Sequence, residues 1–220
     1  MFGLVAVVVG VAAVWGTATL LGFFAHIPPT LNATTTASGE ATLTLTVWPD
    51  SMSGAHGKTG GAHPDWVTYG PTTSLWVPAH SLVKMTVLNY DTATKVNNGY
   101  YAGVHGTLDG TASADGVPFT TLSPENVAHT FTIHMFPTGG QPGLDVSVPL
   151  PGVAADAPNL ANGYPKPVAV TFEFRTGDSG RYIWQCFDPC GGDQYVGGFG
   201  GPMSTTGYMA GTINVGGNHA

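Results

Sequence analysis

Two cysteines, Cys186 and Cys190, stand four residues apart in the stretch "YIWQCFDPCGG", and the chain of 220 residues has no others. Thiols at this C-x-x-x-C spacing can close a disulfide, hold a soft metal ion, or do neither. Of the eight histidines, His56 and His63 share a glycine-rich loop, "HGKTGGAHPDW", whose spacing of seven fits no standard metal signature. His80 falls in a turn, His105 in a loop beside Tyr100 and Tyr101, His26 near the end of an apolar run, and His219 in the tail. No nucleophile–base pair stands in a context that would suggest hydrolytic chemistry.

The elements that must position these side chains read as strands. "ATLTLTVWP" at 41–49 alternates Leu43, Leu45 and Val47 with Thr42, Thr44 and Thr46, the period of two expected of a half-buried strand. "SLWVPAHSLVKMTVLNY" at 74–90 reads as two strands broken at Pro78, Ala79 and His80. Further strand patterns fall at 128–136, 167–176, 181–186 and 211–217, and no segment beyond the N-terminus has a helical period. Short strands without interleaved helices predict a β-sandwich or Greek-key barrel. Long loops at 51–71, 91–124 and 138–165 are expected to pack on a partner or to cover a site.

Composition agrees with an all-β domain. Charged residues make up 9% of the chain, against 32 Gly and 17 Pro. The 43% hydrophobic content is enough to bury a core, which argues against disorder. A net charge of −7 with six basic residues excludes nucleic acid, since nothing could neutralise a row of phosphates.

The N-terminus is of a different kind. Residues 1–39 contain no Asp, Glu, Lys or Arg, and residues 3–25 are apolar or small throughout. A helix of this length crosses about 30 Å of hydrocarbon. Phe23, Phe24 and His26 fall where an interfacial belt would lie, and Pro28 and Pro29 stop the helix. A retained anchor is favoured over a cleaved signal peptide, because the basic n-region is missing and the run is long. The expected organisation is an anchor at 1–29, a linker at 30–40, the β-domain at 41–217 and a tail at 218–220. The domain is then single-pass and extracytoplasmic, where a disulfide is permitted.

The order of "NVAHTFTI" at 126–133, "TFEFRTGDSGRYIWQCFDPCGG" at 171–192 and "YMAGTINV" at 208–215 resembles the cupredoxin domain of subunit II of haem–copper oxidases. That family carries the dinuclear CuA centre. The resemblance covers 43–215 between the long loops and implies a cupredoxin-like Greek-key β-sandwich. Position by position, it implies His129 as the first histidine ligand and Cys186 and Cys190 as bridging thiolates. It also implies Asp188 as the carbonyl donor and Met209 as the thioether, with Met203 a poorer match. The family's second histidine falls on Gln194, and no histidine lies between Cys190 and Met209.

That departure leaves several readings open. With one imidazole gone, Gln194 and Asp193 offer only hard oxygen donors that suit a thiolate-bound copper badly. The favoured expectation is a centre that keeps its shape without its metals, with Cys186 and Cys190 joined as a disulfide or left as a metal-free pair. The alternatives are one copper on His129, one or both cysteines and Met209, or a dinuclear centre completed by a distant histidine, for which His56 and His63 are the nearest source. Three functions follow. The first is a non-catalytic or electron-transfer subunit beside subunit I of a membrane oxidase, served by a cytochrome or quinol donor. The second is an anchored single-copper electron carrier, and the third a non-redox cell-surface module. Trp184 beside the thiols is either a core residue or an aromatic that passes electrons.

Overall fold

The computed structural model describes residues 29–50, 66–135, 143–190 and 200–216. The anchor expected at the N-terminus therefore lies outside the described residues, as do Gln194, Asp193, His26, His56, His63 and His219. Among the described residues no helix is long and apolar enough to cross a membrane.

Thirteen strands are described: β1 (Leu31–Asn32), β2 (Thr34–Thr35), β3 (Ala41–Trp48), β4 (Thr68–Gly70), β5 (Ser74–Pro78), β6 (Leu82–Asn89), β7 (Ala112–Ala114), β8 (Val117–Phe119), β9 (Val127–His134), β10 (Val146–Pro151), β11 (Val168–Arg175), β12 (Gly180–Gln185) and β13 (Ala210–Gly216). They form two sheets. Sheet I has the order β1-β5-β13-β12-β9-β10, and sheet II the order β2-β3-β6-β11-β7-β8 with β4 beside β3. Parallel pairs β3/β6 and β5/β13 stand among antiparallel ones, as expected of long crossovers between two sheets. The all-β, two-sheet sandwich expected from the sequence is what the described residues form.

The alternation read in the sequence is the alternation observed. Leu43, Leu45 and Val47 of β3 point inward with Val83, Met85 and Val87 of β6 and Val170, Phe172 and Phe174 of β11. Sheet I answers with Leu75, Phe131, Ile133, Val148, Trp184 and Ile213, all fully buried. Trp184, Tyr69 and Phe131 pack edge-on and tilted at the centre, with ring centroids 4.8–6.3 Å apart.

Four segments read as loop or linker carry strands, among them the end of the loop expected at 51–71, which forms β4. Residues 31–35 contribute one short strand to each sheet, so the segment expected to be a linker is part of the sandwich. β7 and β8 form a small hairpin on β11. β10, "VSVPLP", was hidden by Pro149 and Pro151, which disqualify a central strand. It is tolerated because β10 is the edge of sheet I, where β9 is its one strand partner and only Ser147 is bridged on the outer side, to His105.

Candidate metal centre

Strand register assembles the centre at one end of sheet I. His129 lies near the start of β9 on the inward face shared with Phe131 and Ile133. β12 runs antiparallel to β9, and Tyr182, Trp184 and Cys186 continue its inward face one residue past the strand. β13 pairs with β12 so that Ala210 opposes Gln185, which brings Met209 against Cys186. The Cys186 amide donates to the Met209 carbonyl at 2.9 Å. Gly211 is required for this register: a Cβ there would collide with the Thr73 carbonyl.

The donor atoms of His129, Cys186 and Cys190 all lie within 4.8 Å of one another. His129 Nδ1 is 3.9 Å from Cys186 Sγ, a span that an ion about 2.0 Å from nitrogen and about 2.3 Å from sulfur would bridge. The Asp188 carbonyl oxygen lies 3.7 Å from the same sulfur and also accepts the Cys190 amide at 2.7 Å. Both Met209 and Met203 are buried, and Met209 belongs to the apolar cluster that holds Cys186. Two thiols and a nearby thioether residue are soft donors, and with an imidazole they make the kind of set that copper selects. The residues present thus fit a thiolate-bound ion.

Cys186 and Cys190 are both free thiols. The disulfide expected of them is not formed. Cys186 Sγ is instead turned to His129 and to the Thr130 amide, which donates to it at 3.3 Å. The electrostatics follow from this crowding. Burial works against the Cys186 thiolate, but hydrogen bonds from Cys190 and His129 and the imidazole charge hold it well below the usual thiol range. Cys190, which donates to Cys186 and is buried beside its charge, moves well above that range. Burial also opposes the charged form of His129, yet the hydrogen bonds to Asp91 and Cys186 outweigh it and push the imidazole up to about 10. Asp188, buried and facing the Cys186 charge, is pushed up to about 7.

Three residues that sequence reasoning passed over shape the centre. Asp91 Oδ2 accepts from His129 Nε2 at 2.9 Å, with the histidine side chain 1% and the aspartate 19% exposed. Thr94 bonds through its hydroxyl to Asp188 Oδ2 and to the Ala128 carbonyl. Thr130 donates its amide to Cys186 and accepts the Phe187 amide on its hydroxyl at 2.8 Å. Asp91 and Thr94 belong to a stretch that reads only as loop, and no local signal ties them to a histidine nearly forty residues away.

The remaining sequence candidates sort by burial. Trp184 is fully buried and donates Nε1 to the Thr73 carbonyl at 3.1 Å, which is the packing role. Phe187, between the cysteines, stacks on Tyr101 at 4.7 Å, and Tyr101 meets the half-exposed Tyr100 edge-on. His105 lies flat on Tyr100 at 4.0 Å, His80 pairs with Asp178 at the surface, and His134 faces Gln185 at 3.4 Å. None of the three reaches the thiols.

No family model matches the chain, and no curated protein matches it. Solved structures do. Auracyanin B is 15% identical over 84% of this chain and 94% of its own, with a TM-score of 0.34. Rusticyanin from Thiobacillus ferrooxidans is 12% identical over 84% and 81%, with a TM-score of 0.37. A laccase from Pediococcus acidilactici is 10% identical over 88% of this chain and 30% of its own, with a TM-score of 0.36.

Proposed function

We propose that this chain is a copper electron-transfer protein, a cupredoxin-like domain of the subunit II kind that serves a haem–copper oxidase-type complex. The observation that carries the reading is the convergence of His129 Nδ1, Cys186 Sγ and Cys190 Sγ on one point, with both thiols free. His129, Cys186, Cys190 and Met209 would hold the ion, and the Asp188 carbonyl faces it. Of the imidazoles among the described residues only His129 joins the thiols, which favours one copper over a pair. Bound there, copper supplies a single-electron redox couple. The chain's own part is to fix the donors and to keep bulk water from His129 and Cys186, which are fully buried. The apolar run at 3–25 would anchor the domain on the extracytoplasmic face beside subunit I.

The test uses the full chain, purified in detergent and loaded anaerobically with copper. The expected result is one copper per chain after desalting, with a strong visible thiolate-to-copper absorption that His129→Ala, Cys186→Ser and Cys190→Ser each abolish. A wild-type chain that keeps no copper would end the reading. Two coppers per chain with a delocalised mixed-valence signal would replace it by a dinuclear centre with a second imidazole from elsewhere. Co-purification with a haem-containing membrane complex checks the subunit role, and a native preparation free of haem would count against it.

A further inference from the structure

The segment that follows β6 is tied down more heavily than a connecting loop requires, and two of its side-chain ties lead to the metal centre. Asn89, fully buried at the end of β6, donates Nδ2 to the carbonyls of Asp91 and Pro151, both at 3.0 Å, and accepts the Asp91 amide on Oδ1. Asp91 Oδ1 accepts the Thr92 amide at 2.8 Å, which leaves Oδ2 for His129 Nε2. The Thr94 and Lys95 amides both donate to the Val127 carbonyl at the head of β9. Lys95 sits at φ 75, a left-handed conformation that a lysine keeps only where its surroundings impose it. Between these anchors the Thr94 hydroxyl reaches across to Asp188, the residue midway between the two cysteines.

We propose that residues 91–94 form the positioning shell of the metal centre, Asp91 orienting His129 and Thr94 orienting the C-x-x-x-C loop. The inference rests on the copper reading above and deepens it. An imidazole has two nitrogens and can turn either to a metal. Asp91 takes Nε2, so Nδ1 is the nitrogen left facing the thiols. The cysteine loop has the opposite difficulty. Cys186 is fixed by its own strand, but Cys190 lies in a loop beyond it, and the Asp188 side chain is the handle by which that loop is held. Asp188 is fully buried, with Oδ1 unpartnered and Oδ2 on Thr94, so the Thr94 bond is the one side-chain tie it has among the described residues. One rigid segment thus sets the imidazole and the thiol arm relative to each other, before any ion arrives.

The experiment loads the full chain in detergent with Co(II) alone and with Zn(II) alone. It compares wild type, Asp91→Asn, Asp91→Glu and Thr94→Val. Loss of an outer partner of a ligand costs 10–100-fold in affinity, so Co(II) affinity is expected to fall by about that factor in Asp91→Asn and in Thr94→Val. The Zn(II) form adds a readout that mere stability would not move. Imidazole nitrogen NMR should show a single Nε2–H form of His129 in wild type and Thr94→Val, a mixture in Asp91→Asn, and partial recovery in Asp91→Glu. Thr94→Val should shift the thiolate-to-cobalt absorption instead. If Asp91→Asn does not fold, Thr94→Val decides alone. Variants that match wild type in affinity and in both spectra overturn the inference while the copper reading stands. A wild-type chain that takes up neither Co(II) nor copper removes both.

Discussion

His129 is a fully buried imidazole with both nitrogens occupied, one by a carboxylate and one by a thiol. Buried groups of this kind are held by their partners, and removing one strands the others. His129→Ala leaves the Asp91 carboxylate and the Cys186 sulfur facing an empty space. We expect it to cost about 3–5 kcal/mol of stability in the metal-free protein, measured by urea denaturation, because a buried pair broken on one side typically loses that much. His129→Ala with wild-type stability would mean that Asp91 is solvated after all. The state of the cysteines gives a second prediction at this scale. Both thiols are free, so protein denatured without reductant should titrate for two thiols, and its melting temperature should be the same with and without reductant. A titration near zero would restore the disulfide that the spacing alone suggested.

Strands and their crossings decide where such residues meet, and here the sequence was unevenly legible. β3, β6, β11, β12 and β13 could be read because their burial alternates along the strand, which prints a period of two. β5 and β9 are instead buried along nearly their whole length and show as runs rich in apolar residues and threonine. β10 could not, because its prolines mimic a loop and only its place at the sheet edge excuses them. His129, Cys186 and Cys190 were legible through a motif order. Asp91 and Thr94 were not, because their roles depend on how a loop lies against β9, and spacing does not encode that. The path of this loop has its own requirement at Gly152. A Cβ there would collide with the Ala93 backbone, since the 91–94 segment passes directly over it. Gly152→Ala touches neither ligand arm, yet must push the segment away. Overpacking of this sort costs about 1–3 kcal/mol, and thermal unfolding should show it. If the segment positions the donors, metal affinity should fall as well. A destabilised variant with unaltered affinity would separate packing from positioning.

For the whole molecule, the direction in which the chain enters the sandwich matters as much as the core. β1 runs parallel to β5, with Leu31 opposite Leu75, and β5 runs parallel to β13, with Ser74 opposite Thr212. Residue 30 therefore meets sheet I near the start of β13, at the end where Met209 and Cys186 lie. Four strand spacings of about 4.8 Å separate β1 from β9, so chain entry and metal centre share one end of the domain, about 19 Å apart across the sheet. An anchor at 1–29 would then hold the centre toward the membrane, at a separation set by very few residues. If the domain serves a membrane oxidase as proposed, tether length should govern electron delivery to that partner without touching the centre. A flexible Gly/Ser insert between Pro29 and Thr30 should leave copper content and visible absorption unchanged, because no described contact of the centre involves residues before Thr30. On the proposed function, the same insert should slow turnover of the oxidase-type complex, since a longer tether lowers the effective concentration of the domain at its docking site. Turnover measured in reconstituted vesicles, with the spectrum as the control, decides it. Unchanged turnover would show that docking, and not the tether, holds the domain in place.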